Sequence, residues 1–263
     1  MSMPIGTGWS LAHLGLKYPA LAAVCVATMS FMTFEDNETP MVIITFDDGY
    51  QSTLDVALPE LQSRDLVATH YIPTGLLDTP GYIKSEDVIK FTDAGWEIGA
   101  HAINSVDLTT LSPMEMLYEI KTPIKILEEL SNQKIYSFSS PLGEYDDNMI
   151  EEVDDYYHNH VNAWSDNEGM NYKETFDRYD IHRLDVSNKS VDGICNDINT
   201  LEADQKYSIL FHDIIENAPN ENRPYDTTYD DFISIIDCIH KAEQESDIRV
   251  VTMTRAAHEM DAK

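Results

Sequence analysis

The sequence predicts one α/β domain with a mainly parallel sheet or barrel. From residue 41 onward, short β-branched runs alternate with amphipathic helical patterns, which favours β-α units and parallel strands. The 263 residues include 43% hydrophobic residues, enough for the core of one large domain. In such folds chemistry collects where the strands end.

The first half of the domain gives the clearest pattern. The run Met41–Phe46 is continuously apolar apart from one threonine, as expected of a strand that is buried on both faces. An amphipathic helix over about 52–63 follows it. A second apolar run, Leu66–Ile72, ends at a Pro-Thr-Gly turn. A short helix over Ser85–Asp93 then leads to a buried strand over Trp96–Ala100.

The second half continues the alternation. Ser112 can cap a helix whose first turn holds Pro113 and Glu115, and that helix is predicted to reach Leu130 with a bend at Pro123. Further strands are predicted over Ile135–Ser139, Val161–Trp164, Ile181–Val186, Ser208–Phe211 and Val250–Thr252, and further helices over Asn148–Tyr157, Val191–Leu201 and Tyr229–Glu245.

The charge is strongly acidic. Forty-seven Asp and Glu against 17 Lys and Arg give a formal net charge of −30. Phosphate binding needs clustered basic residues, so nucleic acid and anionic membranes are not expected partners. Acids spread this widely repel each other in dilute buffer, and concentrated salt screens that repulsion. We therefore expect a salt-rich (halophilic) host or compartment; an ordinary acidic protein is the alternative.

The N-terminal 40 residues are predicted to be a separate segment, with the catalytic domain over 41–263. The apolar run Pro19–Met32 is too short for a comfortable transmembrane helix. It fits the core of a signal peptide or a buried element of the domain equally well. Localisation stays open, and an extracellular or cell-surface place is slightly favoured. No stable membrane span is expected.

The three cysteines carry no recognisable motif. None sits in a CxxC pair, so neither a zinc knuckle nor a disulfide framework is indicated. Cys195 and Cys238 fall in apolar helical patterns and are expected to be buried small hydrophobic residues. His70 is expected to be a packed core residue within a strand, and His158 and His160 are expected to lie in a helix end and a connector.

Four candidate sites follow four predicted strands. Asp47-Asp48-Gly49 closes the first strand, where two adjacent carboxylates are costly unless they share a cation or a proton. His101 closes the strand Trp96–Ala100, a Pro-Leu-Gly loop at 141–143 follows another strand, and His212 closes a fourth. Each of these motifs alone is weak evidence for a functional site. Because all four follow predicted strands, together they predict a single site.

These motifs, TFDDG at 45–49, GWEIGAH at 95–101, PLGEYD at 141–146 and LFHD at 210–213, resemble the polysaccharide deacetylases, carbohydrate esterase family 4. The resemblance covers about 41–255. It implies an irregular (β/α) barrel with about seven strands, a TIM-barrel-like fold. It also implies metal-assisted hydrolysis of an N-acyl group on an amino sugar of a polysaccharide.

The resemblance also implies roles for individual residues. Asp47 would be the general base and His212 the general acid that protonates the leaving amine. Asp48 and His101 would hold a divalent metal, with zinc expected. The loop Pro141, Leu142 and Gly143 would contact the oxyanion or the substrate, and Arg183 would be a further substrate-binding residue.

The metal motif departs from the family pattern H-x-x-x-H, since Ser105 stands where the second histidine is expected. A hydroxyl is a poor zinc ligand beside imidazole or carboxylate. Water or Ser105 would then complete a weaker metal site. Alternatively, Asn104 or Asp107 would take the place of the missing histidine ligand, or the protein has lost the metal. Ser139 likewise replaces a frequent arginine. The alternatives to a deacetylase are therefore a metal-poor carbohydrate-binding relative and a small-molecule amidase on the same scaffold.

Overall fold

The structure is a computed structural model that describes residues 39–163, 168–216, 219 and 223–261. The chain divides into two units, of which the larger, residues 37–263, contains every described residue. The run Pro19–Met32, Cys25 and Trp164 lie outside the described residues. No helix in the described part of the chain is long and apolar enough to cross a membrane.

One curled sheet forms the centre of the larger unit. Its strand order is β5-β4-β3-β2-β1-β8-β6; β11 also pairs with β1 and β7 with β8, and all pairings are parallel except β6 with β8. A second, small sheet pairs β9 with β10. The strands are β1 Met41–Phe46, β2 Thr69–Ile72, β3 Glu97–Ala100, β4 Ser137–Ser139, β5 Asn159–Val161, β6 Met170–Tyr172, β7 Leu184–Asp185, β8 Gln205–Phe211, β9 Ile214–Ile215, β10 Thr227–Thr228 and β11 Arg249–Val250.

Helices follow most of the parallel strands. A π-helical segment, Thr53–Ala57, runs directly into α1, and the long α3 begins with the predicted Ser112 capping box and continues through Pro123. The helices are α1 Leu58–Gln62, α2 Val88–Asp93, α3 Pro113–Ser131, α4 Asp147–Asp154, α5 Val191–Asn199, α6 Tyr229–Glu245 and α7 Met253–Asp261.

The segment 181–185 brings the two edges of the sheet together. Ile181 exchanges backbone hydrogen bonds with the end of β5, donating to the His160 carbonyl at 3.2 Å and accepting from Asn162 N–H at 3.0 Å. Three residues later the chain enters β7, which pairs with β8. This segment, β1 to β5 and β8 make seven strands around the barrel, so the predicted irregular (β/α) barrel is confirmed.

The alternation of side chains along β1 explains its unbroken apolar sequence. Val42, Ile44 and Phe46 belong to the larger core between sheet and helices, whereas Met41 and Ile43 belong to a smaller core inside the barrel. The inward-facing series continues through the buried Thr45 to Asp47, so polar groups replace apolar ones toward the carboxyl end of the barrel. Because side chains alternate with a period of two residues along the strand, the Asp47 side chain also faces the inside of the barrel.

The predictions for the cysteines and for His70 had different outcomes. Cys195 of α5 and Cys238 of α6 form a disulfide, and both are only partly buried, so the expectation of two buried thiols was wrong. Their separation of 43 residues gives no local motif, and only helix packing brings them together. His70, in contrast, is fully buried against Phe46 and Phe91, as expected of a core residue.

Candidate active site

The strand ends meet in one cleft of about 520 Å³ at the carboxyl end of the barrel. Most of the predicted site residues line it. Pro141 is buried in the loop behind Leu142 and Gly143, and Arg183 is buried beneath the cleft, so neither is among the lining residues. The predicted residues that line the cleft are Asp47, Asp48, His101, Ser105, Leu142, Gly143 and His212.

Asp47 lies at the floor of the cleft and is held by Arg183. The guanidinium donates one hydrogen bond to each carboxylate oxygen, at 2.8 and 2.7 Å, and both side chains are almost fully buried. Ser139 donates to the same carboxylate at 3.0 Å and accepts from Arg183 at 2.8 Å. A bidentate pair of this kind fixes the orientation of the carboxylate.

The pair also sets the charge of Asp47. Burial is the largest single influence and raises its pKa, but the positive charge of Arg183, together with the smaller effects of His101 and His212, outweighs burial and holds the pKa of Asp47 well below its usual range. The hydrogen bonds from Arg183 act in the same direction. Asp47 is therefore ionised at every pH at which the protein is expected to work.

Asp48 and His101 face each other across the cleft. His101 Nδ1 lies 2.8 Å from the Ser139 carbonyl, and because a carbonyl can only accept, Nδ1 carries the proton. In the neutral ring, Nε2 then presents its lone pair 3.5 Å from Asp48 Oδ1. Asp48 reaches this position because the backbone turns through the left-handed region at Asp48 and Gly49, with φ of 69° and 73°.

The donor set fits a divalent cation held by two protein ligands. His101 has the backbone-bonded tautomer that metal-binding histidines commonly show, and Asp48 supplies a carboxylate beside it. Ser105 lines the same cleft, but Asn104 donates to Glu119 at 2.6 Å and Asp107 accepts from Thr109, so those two side chains have other partners. In the described ranges no three His, Cys, Asp or Glu side chains form a metal-binding group.

His212 lines the same cleft and lies beside Asp185. Its Nδ1 lies 3.5 Å from Asp185 Oδ2, and the other oxygen of Asp185 accepts from the Ser187 backbone at 2.9 Å and from the Ser187 hydroxyl. Asp185 is buried whereas the His212 side chain is 18% exposed. This arrangement directs the Nε2 side of the ring away from Asp185.

The loop after β4 is held in place by a buried hydrogen bond between Ser140 and His160. Ser140 Oγ lies 2.6 Å from His160 Nε2, while His160 Nδ1 donates to the Tyr179 carbonyl at 2.8 Å. The Ser140 carbonyl accepts the Gly143 N–H at 3.1 Å, and Leu142 between them has φ of 61°. A non-glycine residue in that region persists only where its surroundings fix it. His160 is thus a buried structural residue of β5, so its predicted place in a connector was wrong.

Several functional neighbours were missed from the sequence. Asp185 and Ser139 partner the two predicted catalytic side chains, and Arg223 with Asp226 forms part of the cleft wall. The only local signal was the position of Asp185 at the end of a predicted strand. Arg223 lies in no regular pattern, so nothing in the sequence marked it.

The comparisons with known proteins agree with this geometry. Residues 34–161 match the sequence model of the family described as Polysaccharide deacetylase. Residues 34–161 belong to the polysaccharide deacetylase family. The resemblance noted from the motifs is confirmed, and this family includes hydrolases that act on C–N bonds.

A curated relative of this chain is YxkH of Bacillus subtilis (strain 168), which carries the name of a polysaccharide deacetylase. It is 26% identical over 109 residues, which cover 41% of this chain and 39% of YxkH. The match therefore spans about two fifths of the relative's length.

Two solved structures share the fold. A family 4 acetyl xylan esterase from Clostridium thermocellum, in complex with a cobalt ion, is 18% identical with a TM-score of 0.56, covering 82% of this chain and 89% of that one. A mutant of BA3943 from Bacillus anthracis, a carbohydrate esterase family 4 pseudoenzyme with restored activity, is 18% identical with a TM-score of 0.57. That match covers 83% of this chain and 68% of the other.

Proposed function

We propose that this chain removes N-acyl groups from amino sugars of a glycan, with the help of one divalent cation. The observation that carries the proposal is the convergence of three pairs on one cleft: Asp47 with Arg183, Asp48 with His101, and His212 with Asp185. An ionised carboxylate, a ligand pair and an oriented imidazole are the groups that amide hydrolysis requires.

Asp47 is the proposed general base. Because Arg183 keeps it ionised, its carboxylate can accept a proton from an attacking water. The carboxylate is a weak base, so the water must be activated by a further group. A cation held by Asp48 and His101, with Ser105 as a weaker third contact, would polarise the acyl carbonyl and lower the pKa of a water molecule beside Asp47.

His212 is the proposed general acid. Water adds to the acyl carbon, the C–N bond breaks, and the departing nitrogen must gain a proton because an amide anion is a very poor leaving group. Asp185 orients the ring so that the other nitrogen can give this proton. The products are a carboxylate and a free amine, and the backbone of Leu142 is the proposed contact of the oxyanion.

Acetate release from N-acetylated chitooligosaccharides tests this function. Asp47→Asn and His212→Gln are each expected to lower kcat by at least about a hundredfold, which is the usual contribution of a general acid or base. Asp93→Asn, a matched change at an exposed position on α2, is expected to have no effect. Equal rates in wild type, Asp47→Asn and His212→Gln would refute the assignment.

Ser105 favours a second candidate, a carbohydrate-binding relative with little catalysis. With two strong ligands instead of three, cation affinity falls and the site can lose its metal. Elemental analysis of the purified protein separates the candidates. Stoichiometric metal with acetate release excludes the binding-only protein, whereas tight oligosaccharide binding without metal or acetate release favours it.

A further inference from the structure

The metal-motif loop, residues 102–105, follows His101 and brings Ser105 to the cleft. Its backbone turns through the left-handed region at Ala102, with φ of 55°, a conformation that a non-glycine residue keeps only where its surroundings fix it. The position of the Ser105 side chain relative to His101 therefore depends on what holds the backbone between them.

Glu119 of α3 binds the N–H groups of this loop. Its Oε2 accepts the backbone N–H of Ile103 at 3.0 Å and that of Asn104 at 2.9 Å, and its Oε1 accepts the Asn104 side-chain amide at 2.6 Å. Glu119 is 8% exposed, so water cannot readily replace the carboxylate. One buried side chain thus satisfies three donors of the loop.

The turn after β2 binds the carbonyl groups of the same loop. The N–H groups of Thr74 and Gly75 donate to the carbonyls of Ala102 and Ile103, at 3.2 and 2.8 Å. A Cβ on Gly75 would lie 2.7 Å from the Ile103 carbonyl oxygen and 3.1 Å from Asn104 Oδ1. Glycine is required here because the nearest atom belongs to the loop backbone, which would have to move.

Two successive peptide units of the loop are therefore held at both ends. In a trans peptide the C=O and the N–H point in opposite directions. The unit 102–103 accepts from Thr74 and donates to Glu119, and the unit 103–104 accepts from Gly75 and donates to Glu119. Rotation of either peptide plane would break both of its hydrogen bonds. The backbone is thus fixed up to Asn104, directly before Ser105.

We propose that Glu119 is a positioning residue of the cation site, which fixes the metal-motif loop so that the side chain at position 105 faces the cation. This inference rests on the proposed function because it needs the cation, but it does not depend on the substrate. His101 is held separately, by a backbone hydrogen bond to Ile72 and by the Ser139 carbonyl. The effect of Glu119 should therefore appear mainly at position 105.

Zinc titrations by calorimetry, with Ser105→His as the probe, test the proposal. In the chain with Glu119, Ser105→His should raise zinc affinity about tenfold or more, because it adds a third strong ligand. In the Glu119→Met chain this gain should fall below about threefold, because methionine has a similar length but offers the loop only a weak sulfur acceptor. Glu119→Gln should keep most of the gain, because its amide oxygen can accept both backbone N–H groups. Since glutamine also lacks the charge, this variant separates positioning from a long-range effect of the carboxylate on the cation.

Glu97→Met is the matched control. Glu97 is 9% exposed and likewise accepts three hydrogen bonds, from the Thr69 hydroxyl and from the backbone and hydroxyl of Thr254. It begins β3, whereas His101 follows the end of that strand, so it lies away from the metal-motif loop. Urea denaturation should show that both methionine variants lose stability. Only Glu119→Met should reduce the gain from Ser105→His.

Three results would overturn the proposal. They are an undiminished gain in Glu119→Met, the same reduction in Glu97→Met or Glu119→Gln, and a Ser105→His chain that binds zinc no more tightly than wild type. If Glu119→Met does not fold, Glu119→Asp takes its place with the same expected and contradicting results, because its carboxylate is one methylene shorter. Absence of acetate release, with these affinity differences intact, would refute the deacetylase function alone.

Discussion

Replacing Arg183 with methionine should expose the coupling between charge and stability at the floor of the cleft. Removing one partner of a buried pair leaves an uncompensated charge, which typically costs about 3–5 kcal/mol. Arg183 and Asp47 are 0% and 3% exposed in their side chains, so solvent cannot replace the lost partner. We expect Arg183→Met to lower the free energy of unfolding by that amount.

A double-mutant cycle isolates the pair. In Asp47→Asn/Arg183→Met no buried charge remains, so the double variant should lose less stability than the sum of the single variants by about 1–3 kcal/mol. Urea denaturation at one fixed KCl concentration gives these values. The matched control is Arg64→Met, because Arg64 pairs with Glu60 and Asp237 near the surface and should contribute about 1 kcal/mol or less.

The pH dependence of activity gives a second test of the Arg183→Met variant. Without Arg183, burial raises the pKa of Asp47 against only the smaller opposing effects of His101 and His212, so the acid limb of the activity profile should move to higher pH in Arg183→Met. Additive stability losses within about 0.5 kcal/mol, together with an unmoved acid limb, would refute the reasoning that Arg183 keeps Asp47 ionised.

Three further predictions concern the metal ligands, acid stability and salt. Ser105→His should raise zinc affinity about tenfold or more and increase acetate release, because it restores a third strong ligand; unchanged affinity in a zinc titration would contradict this. Burial lowers the pKa of His70 to about 3 in the folded chain, against an ordinary value of 6.5, so its contribution to stability is full above pH 6.5 and is lost as the pH falls toward 3. At pH 5 this loss amounts to about 2 kcal/mol relative to pH 7.5, and His70→Phe should remove it in urea titrations at the two pH values. The melting temperature should rise between about 0.1 and 2 M KCl because salt screens the net charge of −30, and an unchanged value would contradict the halophilic hypothesis.

The sequence was informative where chemistry follows directly from a strand. Asp47, Asp48, His101 and His212 each come immediately after an apolar run, and parallel strands bring such positions to one edge. The inward direction of Asp47 follows from the two-residue period of β1. For these residues, the local sequence pattern is enough to predict their position in the fold.

Four features were missed: the pairing of Arg183 with Asp47, the role of Asp185, the disulfide and Arg223. They depend on contacts between distant segments. Arg183 and Asp185 lie in the closing segment 181–185, whose approach to β5 and β8 depends on barrel closure, and only this places Arg183 under Asp47. Cys195 and Cys238 meet because α5 packs on α6. Arg223 reaches the cleft from a segment with no regular pattern. Hydrophobic periodicity contains no information on any of these pairings.

A calorimetric zinc titration of wild type, Asp48→Asn and His101→Gln tests most directly the claim that one cation is held in this cleft. We expect one zinc per chain in wild type and a loss of affinity of at least about tenfold in each variant, with melting temperatures that show both variants folded. Zinc binding of the same affinity and stoichiometry in all three proteins would contradict the account.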